Sequence, residues 1–567
     1  MEYEVLNPCG EVDPLPLRGL NPRVKSLDGV TVGLFAGFKG HWFLILKEVA
    51  RQLETRFPST KFSFYEYPKD CVEIEQDDEY RPSFESWLKG VDTVISGHGD
   101  AASCALFLAY NTALAEKLGK PAVMLTNKAF ENICKSGASA RGVPALRLVL
   151  TDIPDLSPLP DLEPAIEKII KPGVSAVINE VVTALTKPLS PEEEFPVFRE
   201  EKLPRIVFKG NLEEVNAFFY RRGWSYGMPI IPPTEETVKE MLKGTDLPPD
   251  YVVARIPPKM GKATVEKIAI NAVMAGCLPT HMPVLIAAVQ AITDPKVWGK
   301  PSRALEAYTC SVAGWGHLLI VNGPARRDMN IHSGGGLMSP YYKANVSIGL
   351  ALGLILRNIG GVRPGIEDMA VLGHELRYCI AENEEESPWE PLHVQRGFKK
   401  EDNTVTVFWP GARYRIFGFD ADTILRSMCE VPVRGWNPTC AFIISPAAAK
   451  ALANEGWTRK EIVSYLVEYA RMPAAQVNWR WMRDNKHLWG FMERGIPVPK
   501  TTDIMRKFFD PDNILIVVAG ASYYAPMVLA LTDGDHGGPI TKKIELPSNW
   551  DKLVEKYKDL VPKFALL

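Results

Sequence analysis

The chain has 567 residues, a formal net charge of −3, and 46% apolar against 23% charged residues. This balance describes a soluble globular protein of two or three domains, and it argues against a basic nucleic-acid binder or a protein held on an anionic membrane surface. The acidic start MEYEVLNPCGEVD has no apolar signal core, and the longest apolar run, residues 346–356, is too short to span a bilayer. Nine scattered cysteines without a CxxC pair suggest reduced thiols in a cytoplasm rather than a disulfide framework.

Residues 1–25 contain Pro and Gly and are expected to wrap the first domain as an extended arm. Strands are predicted at residues 30–35 (VTVGLF), 62–67 (FSFYEY), 92–96, 122–126 and 146–151, with helices between them and a closing helix over 164–185. Strands alternating with helices predict an α/β fold, a doubly wound parallel sheet of flavodoxin-like type over residues 26–190. A linker rich in Pro and charge follows, taken as residues 191–203. Residues 204–567 show many Gly/Pro turns without β-α alternation and no internal repeat, so they are assigned to a larger α/β or α+β domain. Its predicted helices are 211–222, 234–243, 263–276, 282–292, 343–357 and 459–471, and its predicted strands 317–322, 404–409 and 513–519.

The stretch 91–123 carries the first candidate site. A short β-branched run ends in Gly97-His98-Gly99-Asp100, and a helical pattern follows. The turn brings Ser103 and Cys104 to the first helical turn, where free N–H groups and the helix dipole favour a thiolate. In an open parallel sheet this is also where ligands bind, so Cys104 and Ser103 are catalytic candidates, with His98, Gly99 and Asp100 as substrate contacts. Against this stands the reading of Cys104 as a small thiol packing a tight turn.

In the second domain, Cys277 and His281 lie four residues apart in a turn bracketed by Pro279 and Pro283, a candidate nucleophile–base pair. Asn322 and Gly323, with the Gly-rich Ser333, Gly334 and Gly335, offer backbone N–H groups for an anionic group. Glu382 and Glu384, in the acidic run before Trp389, are candidates for a general base or an oxygen-rich site. No cofactor is assigned: there is no Walker loop, no GxGxxG follows the first strand, and His374 and His393 match no zinc spacing, so no metal is expected.

The residues GHGDAASC, with LNPCGEV and SLDGVTVGLF upstream, resemble the UGSC family, selenoprotein-like proteins named for a Sec-Gly-Ser-Cys motif after the third strand. The blocks RGWSYGMPIIPPTEE, NAVMAGCLP, VNGP, ENEEESPWEPLH and ILIVVAGA resemble the large C-terminal region often found with it. Where the motif has its chalcogen this chain has Ala101, followed by Ala102, Ser103 and Cys104. A local dithiol cycle is thereby lost. The reading that follows is an enzyme acting on a small polar or anionic molecule between the domains, through Cys104, by lyase, hydratase or thiol-transfer chemistry. Two alternatives stand beside it: a redox enzyme pairing Cys104 with Cys277 across the domains, and a non-catalytic binding or scaffold subunit. The expected partner is a small-molecule substrate, with neither nucleic acid nor membrane. Aromatic residues around Trp479, Trp481 and Trp489 hint at a homo-oligomer interface.

Overall fold

A computed structural model describes residues 1–562 apart from 70, 157–162, 198–202, 295–304, 375–376, 434–437, 477–499, 501, 524–525 and 533–538. Trp479, Trp481 and Trp489 therefore lie outside the described residues.

After a short N-terminal strand, β1 (Tyr3–Leu6), five strands form one parallel sheet: β2 (Thr31–Ala36), β3 (Lys61–Glu66), β4 (Thr93–Gly99), β5 (Ala122–Asn127) and β6 (Arg147–Thr151). Their order is β3-β2-β4-β5-β6. That is the doubly wound order in which the first and third strands of the sheet are neighbours and the winding reverses between them. All seven residues of β4 are buried, as a continuous β-branched and small-residue run must be when helices cover both sheet faces. The peptide between Gly97 and His98 is cis, and pairing with β5 is irregular between Ser96 and Gly99.

The helices of this domain are α1 (Gly40–Arg56), α2 (Arg81–Lys89), α3 (Ala102–Lys117), α4 (Glu131–Ala140) and the closing helix Lys171–Thr186. One face of the closing helix, with Val174, Ile178, Val181 and Leu185, packs beneath the sheet with Ile45 and Val49 of α1. Together with the turn before it, over Glu163–Thr186, it is also the one helix among the described residues long and apolar enough to cross a membrane. In α3, 14 of 16 residues are buried, so it lacks a polar stripe. The reason is tertiary: Ala307 and Cys310 of the second domain share a core with its outer side.

The N-terminal arm departs from expectation. Its first residues belong to the second domain, where β1 pairs antiparallel with β7 (Ile206–Gly210). The buried Lys267 Nζ donates to Asn7 O at 2.7 Å, and Asn271 Nδ2 donates to Pro8 O at 3.0 Å. The arm then crosses to the first domain, where Arg23 and Glu116 form a buried ion pair at 2.6 Å. Part of the expected linker is also docked: the capped turn Pro191–Glu194 is held by Glu193 to Arg147 at 2.7 Å.

The second domain opens with β7, a helical layer and a hairpin of β8 (Val252–Ile256) and β9 (Gly261–Thr264). Two four-stranded sheets follow. One contains β10 (His317–Asn322), β11 (Arg377–Ala381) and β12 (Thr404–Phe408); the other contains β13 (Ala412–Phe417) and β14 (Cys440–Ile444). After the small pair β15 (Arg471–Pro473) and β16 (Ile504–Arg506), the second sheet is completed by β17 (Ile514–Val518) and β18 (Met527–Thr532). The last strand, β19 (Ile540–Lys543), returns to the first sheet.

The orders β11-β10-β12-β19 and β17-β14-β18-β13 repeat one plan. In each, a strand runs through helices to a parallel neighbour, and the next strand lies antiparallel on its other side. In each, the fourth strand pairs with the opposite copy: β13 with β18, and β19 with β12. The expectation of no internal repeat is thereby corrected. The two copies share little more than a strand running into a Pro-initiated turn, Asn322-Gly323-Pro324-Ala325 and Ile444-Ser445-Pro446-Ala447. The sheets meet through Ile320, Ile380 and Phe408 on one side and Ile443, Val517 and Leu531 on the other.

Across the domain boundary, Ser136 Oγ donates to Glu367 Oε1 at 2.6 Å, and Arg141 faces both Glu73 and, at 3.6 Å, Glu306. Burial raises the Glu306 carboxyl to about 7 despite Arg141. The unfolded chain ionises Glu306 near its ordinary value of 4.5, so its contribution to stability is fully present below that pH and lost as pH rises through about 7. Glu306→Gln should therefore raise the unfolding temperature at about pH 8 by roughly 2–4 °C, with the gap closing near pH 5. Calorimetry across pH checks this, and an equal gap at both ends would contradict it.

Candidate functional site

The α3 N-terminus sits where β4 ends, with Ala101 as its N-cap and Cys104 in the first turn. Beneath it lies a buried ionic cluster. Asp100, 4% exposed, accepts from Lys39 Nζ at 2.6 Å and from Trp42 Nε1 at 2.9 Å, and its other contact is His41 Nε2. Lys39, 1% exposed, also lies 3.2 Å from Asp155. Four of these groups come from two adjacent chain turns: Lys39, His41 and Trp42 stand where α1 opens after β2, while Asp100 follows β4. Burial alone would push the Asp100 carboxyl up; the charges of Lys39 and His41 outweigh it and hold the carboxyl well below the usual carboxylate range. Burial would likewise strip Lys39 of its proton, but Asp100, then Cys104 and Asp155, hold its pKa above the ordinary lysine value. The Cys104 thiol is thus within electrostatic reach of a buried ammonium group.

Above this cluster is a small cleft between the ends of β2 and β3 and the first turns of α3. Cys104, Leu108 and Asn111 form one wall, a single face of α3; Phe35, Trp42 and Tyr67 supply aromatic surface opposite. This is the crevice at the reversal of strand order, where doubly wound sheets bind ligands. The cleft is mostly apolar, and its one basic lining residue, Lys69, is already paired with Asp77 and Glu79, each at 2.9 Å.

The ligand atoms of His41, Asp100 and Asp155 lie within 4.8 Å of one another, close enough to share a metal ion. Lys39 places its own positive charge against both carboxylates, which fits the cluster to an internal ammonium at least as well as to a metal.

The other sequence candidates separate into three groups. His98, Gly99 and Asp100 face inward and line no part of the cleft. His98 Nε2 meets Thr151 Oγ1 at 2.6 Å, and burial lowers its pKa to about 4. A Cβ on Gly99 would lie 2.8 Å from Thr126 Oγ1, so its backbone is packed rather than presented. Asp100 acts on the site from beneath instead of touching a substrate. Ser103 is half-buried in the same helical turn as Cys104 but does not line the cleft.

Cys277 and His281 do not form the expected nucleophile–base pair. Burial raises the thiol to about 12 and lowers the imidazole to about 3. His281 Nδ1 instead accepts from Leu278 N–H at 3.2 Å, fixing the turn. Cys277 and Cys104 also belong to different hydrophobic cores, so the cross-domain pair is not assembled.

Asn322, Gly323, Glu382 and Glu384 do come together, at the junction of the two repeats. Asn322 Nδ2 donates to Glu382 and to Glu384, and Gly323 N donates to Glu384 Oε1 at 2.8 Å. Glu382 is fully buried and paired with the buried Arg459, so it holds the repeats together rather than serving as an exposed base. The loop with Ser333, Gly334 and Gly335 spends carbonyls, not N–H groups: Ser333 O accepts from Gly520 N at 2.8 Å, and Gly335 O accepts from Tyr342 at 3.3 Å. None of these second-domain residues lines the Cys104 cleft.

The residues that sequence reasoning missed are Lys39, His41 and Trp42. They stand in AGFKGHW directly after the first strand of the sheet, and a basic-aromatic turn beside the GHGD turn was the available signal.

Residues 4–187 match the model of the UGSC family, and no family model covers the rest of the chain. No curated protein and no solved structure matches the chain significantly. The parallel sheet, the GHGDAASC turn and the cluster beneath it all lie inside the matched segment. The N-terminal domain of this chain, residues 4–187, is thus similar to the UGSC family.

Proposed function

We propose that the protein is an enzyme that uses Cys104 as a nucleophile toward a small molecule held in the first-domain cleft. The observation that carries this reading is the placement of Cys104: first turn of α3, lining the cleft, and electrostatically coupled to buried Lys39. The first-turn N–H groups of the helix and the Lys39 ammonium both present positive charge toward this position. The reaction class is covalent addition to an electrophilic centre, as in lyase, hydratase or thiol-transfer chemistry. The aromatic walls suit a substrate with an apolar or planar body, which shifts the expectation of a small polar or anionic molecule bound between the domains. Asp100 is a positioning residue: it fixes Lys39 and orders His41 and Trp42 around it.

Most of the other thiols offer a built-in contrast. Burial raises Cys134 and Cys277 to about 12 and Cys429 to about 11, and pushes Cys310, Cys379 and Cys440 upward as well. Iodoacetamide at neutral pH, followed by peptide mapping, should modify Cys104 at least about ten-fold faster than any of these six. Labelling of Cys104 no faster than Cys429 would remove the nucleophile from the reading.

Lys39→Met should slow alkylation of Cys104 by about ten-fold, measured under conditions where the variant is still folded, because removing the ammonium also leaves Asp100 without its main counter-charge and lowers stability. An unchanged rate would show that Lys39 serves Asp100 alone. Asp100→Ala should destabilise the protein by about 3–5 kcal/mol, because Lys39 would be left buried without its main counter-charge. Urea unfolding measures this loss, and a change below about 1 kcal/mol would contradict the burial argument.

A further inference from the structure

Ala101 removes the chalcogen that would stand three residues before Cys104, yet the cleft contains a second thiol. Cys71 lines it together with Cys104, and the two share one hydrophobic core. They reach it from different elements: Cys104 from α3, and Cys71 from the loop after β3. That loop is tied to α3 by Asn111 and, further along, by the Lys117–Glu75 ion pair at 2.7 Å. Asn111 Oδ1 accepts from Ile74 N at 2.9 Å, and Asn111 Nδ2 donates to Val72 O at 3.3 Å. Asn111 is seven residues after Cys104, which places both on one helix face about 10 Å apart along the axis. Cys71 is bonded directly to the anchored Val72, so the clamp holds its backbone beside the face that carries Cys104. The Cys71 backbone is left-handed, with φ of +52°, a conformation that a residue with a Cβ adopts only when its surroundings impose it.

We infer that Cys71 and Cys104 form a dithiol couple, giving the cleft thiol–disulfide exchange activity toward low-molecular-weight disulfides. The inference rests on Cys104 being the reactive thiol, as proposed above, and specifies one reaction of that site. The Cys104 thiolate attacks one sulfur of RS–SR, forming a mixed disulfide and releasing RS⁻, which takes up a proton. The Cys71 thiol then loses its proton to solvent and attacks the Cys104 sulfur, expelling the second RS⁻. The balance is one RS–SR and two protein thiols giving two RSH and one protein disulfide, the substrate being reduced and the protein oxidised. The aromatic walls would take the R groups, and an external dithiol reverses the step. Cys277 has no part in it, since it lies in another core.

The test uses the full-length protein and oxidised glutathione as probe, with alkylation by iodoacetamide and digestion without reductant. The expected product is a Cys71–Cys104 cross-linked peptide pair, with both sites protected from alkylation. Cys71→Ser, or Cys71→Ala should the serine variant not fold, should instead retain glutathione on Cys104 at a level about ten-fold above that of wild type. A lasting glutathione adduct on wild-type Cys104, with Cys71 still alkylated, overturns the couple while leaving the nucleophile intact. A Cys104 that takes neither glutathione nor iodoacetamide overturns both this inference and the proposed function.

Discussion

A carboxylate placed inside a protein must be given opposite charge and hydrogen bonds, because the effective penalty of leaving water amounts to several kcal/mol. Asp100 meets that constraint with an ammonium, an imidazole and an indole N–H, all from the turn that opens α1. The cluster therefore fastens the end of β4 to the end of β2, the two strands between which the sheet reverses its winding. It also fixes where α3 begins. The position of Cys104, the shape of the cleft and the charge below the thiol all follow from one buried carboxylate being satisfied.

The second domain supports this arrangement from outside rather than contributing to it. Its helix Leu305–Thr309 covers the outer side of α3, which frees that helix from needing a polar face. The two domains are further tied by an arm that starts as a strand of one and ends in an ion pair of the other. A chain crossing of this kind fixes relative position with few interdomain side-chain contacts. At the boundary, two carboxylates share Arg141, and burial leaves Glu306 poorly compensated.

Within the second domain, exchange of the fourth strand makes the two repeats mutually dependent. Neither four-stranded sheet can be completed by its own copy. The buried Glu382–Arg459 pair and the Asn322 turn lie at this seam. Polar residues clustered after strand ends look in sequence like a binding site, and here many of them satisfy one another. Removing one partner of such a buried pair leaves the other charge without compensation, which is strongly destabilising.

The sequence by itself determined the first domain and the place of its thiol. Alternating β-branched runs and helical periods specify a parallel sheet, and GHGDAASC marks a strand running into a helix, because both signals are local in the chain. It also located many second-domain helices and three of its strands, whose apolar patterns are strong. It did not determine which distant groups meet. The value of Asp100 as a hub depends on Lys39, about sixty residues earlier; the burial of Cys277 and His281 depends on helices from across the domain. The repeat was invisible because what the two copies share is strand order and pairing, which many side-chain sets can satisfy once a buried face is supplied. Tertiary structure alone decided that Cys71, not Cys277, shares a cleft with Cys104, since proximity across a fold is set by packing and by contacts such as those of Asn111 rather than by spacing along the chain.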